Sequence, residues 1–238
     1  MSIYNKFRAL TISGGKQVPF VGLVVDAIDS ERSRVKQENL ESTMEYLYEH
    51  VEKLKIDMNE ESEPESSRLI STILKEVEDE YEDLKQLVYS NLLVNIFLDK
   101  SKKRIYSNIT YQLQNMNGHD IEDFIKMYSY KEGYKEQFKG MSMKEAMKAV
   151  DPKMTDEKLA EIEKVNGVKL NTFEVQGPSS IREEEYNRVT IKKFESIGLL
   201  QVPRNVTGFD DPSEMYKPNL TIEADDFYNY CIKEPGRN

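Results

Sequence analysis

Few residues of this chain have both the type and the spacing that reaction chemistry needs. The two histidines are His50, close to Glu49 and Glu52, and His119, beside Asp120. Neither falls in a metal-binding spacing such as HExxH, and the two are not local partners. Each reads as a surface or capping histidine. Cys231 is the only cysteine. No histidine lies near it in sequence to lower its pKa, so a structural place on the apolar side of a helix suits it better than nucleophilic work. Gly14-Gly15-Lys16 lacks the GxxxxGK[ST] spacing of a phosphate loop and a strand before it, and reads as a hinge. Acid runs such as Glu78-Asp79-Glu80 and Glu183-Glu184-Glu185 point in several directions along a helix, whereas acid–base or metal work requires carboxylates converged in a cleft. No catalytic, cofactor-binding or metal-binding residue is expected, and an enzyme is not.

Association chemistry is better represented. Leu40, Met44, Leu47, Val51 and Leu54 step by 4, 3, 4 and 3, the seam of a coiled-coil-like helix. Upstream, Val21, Val24, Ile28 and Val35 form a related stripe one residue out of phase, and a stutter near residues 33–38 would absorb the slip. Val21, Val24, Ile28, Leu40, Met44, Leu47 and Val51 are the candidates for contact with a protein partner or a second copy. The apolar segment Val18 to Ile28 docks in a bundle or is released toward a partner. The mixed-sign flank Glu31-Arg32-Ser33-Arg34 argues against a membrane surface. Candidates for nucleic-acid contact are Arg188, Lys192, Lys193 and Arg204. Around them, residues 180–238 carry 11 acids and 8 bases, so DNA binding is disfavoured against protein binding. The basic cluster Lys100, Lys102, Lys103 and Arg104 sits at a helix junction.

Helices must position these residues. Pro19 is placed to open a long helix that carries the first seam. Residues 57–65 form an acidic linker containing Pro64, and a second long helix is expected over about 66–98. Its buried stripe is Ile70, Ile73, Val77, Tyr81, Leu84 and Val88, continued by Leu92 and Ile96. Two seamed helices joined by a short polar loop predict an antiparallel hairpin. A third helix spans about 102–116, closed by Asn117-Gly118, and Asp120 caps the next, which carries Ile121, Phe124, Ile125 and Tyr128. Ser142 to Glu145 is a capping box, and Thr155 caps a further helix ending at Asn166-Gly167. Residues 168–175 alternate weakly, as a strand would. A second capping box, Ser180 to Glu183, opens a helix with Ile181, Val189, Ile191 and Phe194 inside. The strand Leu199 to Val202, the loop 203–218, the strand Leu220 to Ile222 and a helix 224–232 follow. Helix, strand, wing, strand and helix are the order of a winged helix.

Bulk composition agrees. The 238 residues are 38% hydrophobic and 32% charged, with 11 Gly and 8 Pro, which suits helices with one wet face each and not a turn-rich all-β fold. Net charge is −10, concentrated in residues 57–83, where 11 acids meet Arg68 and Lys75. That acidic block reads as a solvated linker and helix face. A single cysteine fits a reducing compartment, and no secretory or transmembrane segment is read from the chain, so a cytoplasmic location is expected.

Two stretches carry a resemblance. Tyr89-Ser90-Asn91-Leu92-Leu93-Val94-Asn95, with 106–113 and 117–124, is similar to the central helices of the bacterial abortive-infection alpha (Abi-alpha) family. Phe194-Glu195-Ser196-Ile197-Gly198-Leu199-Leu200, with Leu220-Thr221 and Phe227 to Cys231, resembles that family's C-terminal end. Together they span about half the chain. Ile197 stands where the family has Leu, and Glu223-Ala224 stands where it has Gly. The resemblance implies a role in phage defence, in a bacterial or prophage setting, and supplies no catalytic residues.

The expected fold is therefore mostly α: an N-terminal long-helix hairpin or bundle with a C-terminal winged-helix-like domain carrying a small β-hairpin. The expected divisions are 1–60, 61–132, 133–179 and 180–238. The expected function is non-enzymatic phage defence or phage–host conflict through protein–protein contacts and self-association, without cofactors. A winged-helix transcriptional regulator is the alternative.

Overall fold

A computed structural model describes residues 34–54, 64–137, 139, 141–150, 154–166, 169, 186–201 and 219–236. They are mostly helical, with one two-stranded antiparallel sheet. None of the described helices is long and apolar enough to cross a membrane. The chain divides into two compact units, and residues 180–238 contribute to both. The segments 14–28, 180–183, 170–175 and 203–218, on which several sequence expectations fall, lie outside the described residues.

The first unit contains α1 (Arg34–Leu54), α2 (Pro64–Asp79), α3 (Asp83–Leu98), a 3₁₀ turn (Lys100–Lys102) and α4 (Lys103–Gln114). Leu40, Met44 and Leu47 are buried, and α1 packs against α2 and α3 of the same chain. From α2, Ile70, Ile73, Leu74 and Val77 face inward. The start of α1 lies beside the end of α2, where Asn39 Nδ2 donates to the Glu78 and Glu80 carbonyls and Lys36 pairs with Asp79. In α3 every residue from Val88 to Phe97 is buried, as befits a helix that is apolar on most sides and surrounded by others.

The single helix expected over 66–98 is two. Residues 80–82 leave the helical path without Pro or Gly, and side chains satisfy the freed backbone. The Glu80 carboxylate accepts from the Tyr81 and Glu82 amides at 3.0 and 3.1 Å and pairs with Lys85 at 3.0 Å. Gln86 Nε2 and Asn39 Nδ2 both donate to the Glu80 carbonyl at 2.7 Å. Tyr81, expected in the buried stripe, is exposed because it lies in this break. The turn after α4 also differs from the expected one. Gly118 is not a left-handed cap; it opens α5 (Gly118–Gln137). Asn117 caps that helix, accepting from the Asp120 amide at 2.9 Å while its own amide donates to the Asp120 carboxylate at 2.8 Å. The Gly118 amide donates to the Glu82 carboxylate, and a Cβ at Gly118 would lie 3.0 Å from Glu82 Oε2.

The second unit holds α5 from Asp123 onward, α6 (Met143–Val150), α7 (Asp156–Asn166), α8 (Arg188–Ser196, to Glu195), β1 (Leu200–Gln201) and β2 (Asn219–Leu220). Its capping matches the sequence reading at two places. Ser142 and Glu145 form a reciprocal box before α6, and Thr155 Oγ1 accepts from the Lys158 amide before α7. Asp156 joins these two helices by ion pairs to Lys144 (3.0 Å) and Lys148 (2.8 Å). Phe124 meets Phe194 edge to face at 6.3 Å. Ile191 and Phe194 face inward as expected, but Val189 is exposed in the first turn of α8, where Asn187 caps its amide. β1 and β2 pair with Leu200 opposite Leu220 and Gln201 opposite Asn219. Beyond α8, in the first unit, Gly198 takes a φ of 81°, which a side chain would strain.

Candidate functional site

The first unit is completed by α9 (Ile222–Phe227), which runs into a π-helical turn (Tyr228–Ile232). Ala224, Phe227 and Cys231 are the buried side of this segment, and the π-turn packs on α3. Its wider turn is set by the Lys233 amide donating to the Tyr228 carbonyl at 2.9 Å. A helix end leaves carbonyls without helical partners. Here two side-chain amides of α3 meet them: Asn91 Nδ2 donates to the Cys231 carbonyl at 2.7 Å and Asn95 Nδ2 to the Tyr230 carbonyl at 2.9 Å. Asn91 Oδ1 accepts from the Tyr46 hydroxyl, and the Tyr106 hydroxyl donates to the Asn95 carbonyl at 2.9 Å. Sequence reasoning missed this role, and two Asn one helical turn apart around Leu92-Leu93-Val94 are the signal that could have found it.

On one side of this segment lies a cavity of roughly 550 Å³, lined by Asn95, Asp99, Lys102, Tyr106, Tyr230 and Lys233 among others. Lys102 Nζ stands 3.0 Å from Asp99 and 5.1 Å from the Tyr230 ring centre. Hydrogen bonding to Tyr230 and Asp99 holds the Lys102 ammonium above the usual lysine range. Ser101, then Lys102, holds the Asp99 carboxyl below the usual carboxylate range. Burial, reinforced by Asp99, pushes the Tyr106 phenol up. So held, Lys102 places a positive charge at the cavity wall. Burial likewise pushes the Cys231 thiol well up, in keeping with the structural place read for it.

On the other side, a groove of roughly 220 Å³ runs between α4 and α9, lined by Arg104, Asn108, Gln112, Glu223 and Asp226 with Ile105 and Ile109. Gln112 is 3% exposed. Its Nε2 donates to the Ile197 carbonyl at 3.1 Å, and its Oε1 has no partner among the described residues. Because that carbonyl can only accept, the amide orientation is fixed. Burial, then Glu223 and Asp225, push the Asp226 carboxyl up, with Lys102 opposing. Large apolar side chains stand outside this region: Tyr111, on α4 one turn beyond Asn108, is 56% exposed, and Ile222, preceding Glu223, is 78% exposed.

The structure separates the residues singled out from sequence. Leu40, Met44 and Leu47 are buried within the first unit; Val21, Val24 and Ile28 lie outside the described residues, as does the side chain of Val51. Arg188 and Lys192 are exposed on α8 and Lys193 is half-buried, while Arg204 lies outside the described residues. His119 is a surface residue, 3.6 Å from Glu122. His50 is not: it is 7% exposed, stacked on Tyr46 at 4.2 Å, with Nδ1 donating to the Tyr46 carbonyl at 2.9 Å. The neighbouring acids suggested a wet site, but its face of α1 turns inward. Among the described residues no three His, Cys, Asp or Glu side chains gather as a metal site would require. Compared with known proteins, the chain matches no family model, no curated protein and no solved structure.

Proposed function

We propose that this protein acts without catalysis, in phage defence or phage–host conflict, by binding protein, a second copy of itself included. The observation that carries the reading is the pair Tyr111 and Ile222, large apolar side chains held outward on helices whose inner faces are buried. Exposed aromatic and aliphatic anchors on rigid elements are what protein interfaces use. The phage-defence part of the reading rests on the resemblance to the Abi-alpha family. A cytoplasmic site of action belongs to the same reading.

The test is phage plating on bacteria that express the full chain. The intact protein is expected to lower plaque numbers, and Tyr111→Ser with Ile222→Ser to restore them while the purified variant keeps its melting temperature. Protection unchanged by this pair overturns the contact reading. A second reading, a winged-helix regulator, draws on Arg188 and Lys192, which face solvent on α8 ahead of the β1–β2 pair. It expects a salt-sensitive shift with duplex DNA that Arg188→Glu/Lys192→Glu abolishes; no shift at low salt removes it.

A further inference from the structure

The geometry points to the groove between α4 and α9 as a socket for one cationic side chain, an arginine, presented by the protein partner. This rests on the protein-contact reading and adds the chemistry of the contact.

Two independent features carry it. The first is an excess of acceptors. Glu223 and Asp226 line the groove, and neither they nor Arg104 forms an ion pair within 4.0 Å among the described residues. The raised carboxyl of Asp226 reports the same thing: its burial and its acidic neighbours outweigh the opposing Lys102. A cation placed there would relieve that repulsion. The second feature is Gln112. A buried amide oxygen without a donor costs free energy, and native structures seldom leave one so. Its Nε2 is committed to Ile197, and the buried Oε1 of this groove-lining residue has no donor among the described residues.

Three acceptors, two of them charged, suit a guanidinium, whose planar fork carries five N–H donors against the three of an ammonium. Size favours a side chain over a free ligand. The groove, at roughly 220 Å³, falls below the about 300–1,000 Å³ typical of small-molecule pockets. Ile105 and Ile109 also line it, so an arginine entering it would meet apolar contact beside the acceptors. Arg104 is the competing cation already at the groove. Its presence sets the sign of the test, because removing it should improve the socket.

The experiment titrates the full-length, nitrogen-15-labelled protein with N-acetyl-arginine amide and follows the Gln112 side-chain amide resonances. Saturable shifts are expected, stronger than with N-acetyl-lysine amide and absent with N-acetyl-glutamine amide. Glu223→Gln with Asp226→Asn, which keep the shape, should weaken the apparent affinity roughly five-fold or more, and Arg104→Gln should strengthen it about two-fold or more. A merely structural role for these residues predicts no such opposite signs. Absence of saturable shifts, equal binding of the glutamine amide, or weakening by Arg104→Gln each overturns the proposal. The phage-plating test reads a separate property: it can succeed while the arginine probe fails, which sinks the socket alone, or fail while the probe binds, which sinks the contact reading and with it the protein source of the arginine.

Discussion

Asn91 shows how much one buried side chain can hold. Its Nδ2 satisfies the Cys231 carbonyl and its Oδ1 the Tyr46 hydroxyl, so it ties α1, α3 and the π-turn together. Substituting Asn91→Ala strands both groups. The expected loss is about 1–3 kcal/mol for each group left unsatisfied, read as a lower urea midpoint at constant slope. Asn91→Asp keeps the acceptor for Tyr46 but cannot donate to the carbonyl and adds a buried charge, so it should be no milder. The thiol of Cys231 gives a second readout. It is buried and pushed up, so a disulfide reagent should label it only when the C-terminal segment opens, and faster in Asn91→Ala. Labelling of the intact protein at the rate of a free thiol would contradict this packing. The structural place of Cys231 was legible from its spacing with Phe227. The burial of His50 was not, because its acidic neighbours in sequence sit on a different face of the same helix.

Helices α6 and α7 are short, and Asp156 of α7 pairs with Lys144 and Lys148 of α6. Lys148, then Lys144, hold the Asp156 carboxyl below its ordinary 3.8. The folded form thus binds the proton less readily than the unfolded chain. The contribution of this link is complete above about pH 4 and is lost as pH falls through the lowered folded value. Acid titration followed at the amides of α6 and α7 should show that loss, and Asp156→Asn should abolish it; an unchanged acid profile in the variant would exclude the link. Salt should weaken it as well, since the Asp156 carboxylate is exposed. Element boundaries were readable where the rules are local. Ser142 with Glu145 and Thr155 with Lys158 act within one turn, so sequence placed both caps. The break at 80–82 escaped it, because Asn39, from another helix, helps satisfy the carbonyls that the break exposes.

At the scale of the molecule, the first unit depends on α1 closing against α2 and α3. Leu47 is fully buried at their junction, and Leu47→Ala is expected to cost about 2–5 kcal/mol, measured by chemical denaturation. A loss well under 1 kcal/mol would mean that the seam is not part of the core. That seam, the helical class and the small antiparallel sheet could be read from the chain alone, since periodic burial imprints its period on the order of residues. The sites could not. Asn91 and the carbonyl it holds are 140 positions apart, and the groove sets Arg104 and Gln112 of α4 against Glu223 and Asp226 of α9. Hydrophobic spacing says which face of a helix turns inward. It carries nothing about which distant helix will meet that face, and a socket exists only where two such faces have met.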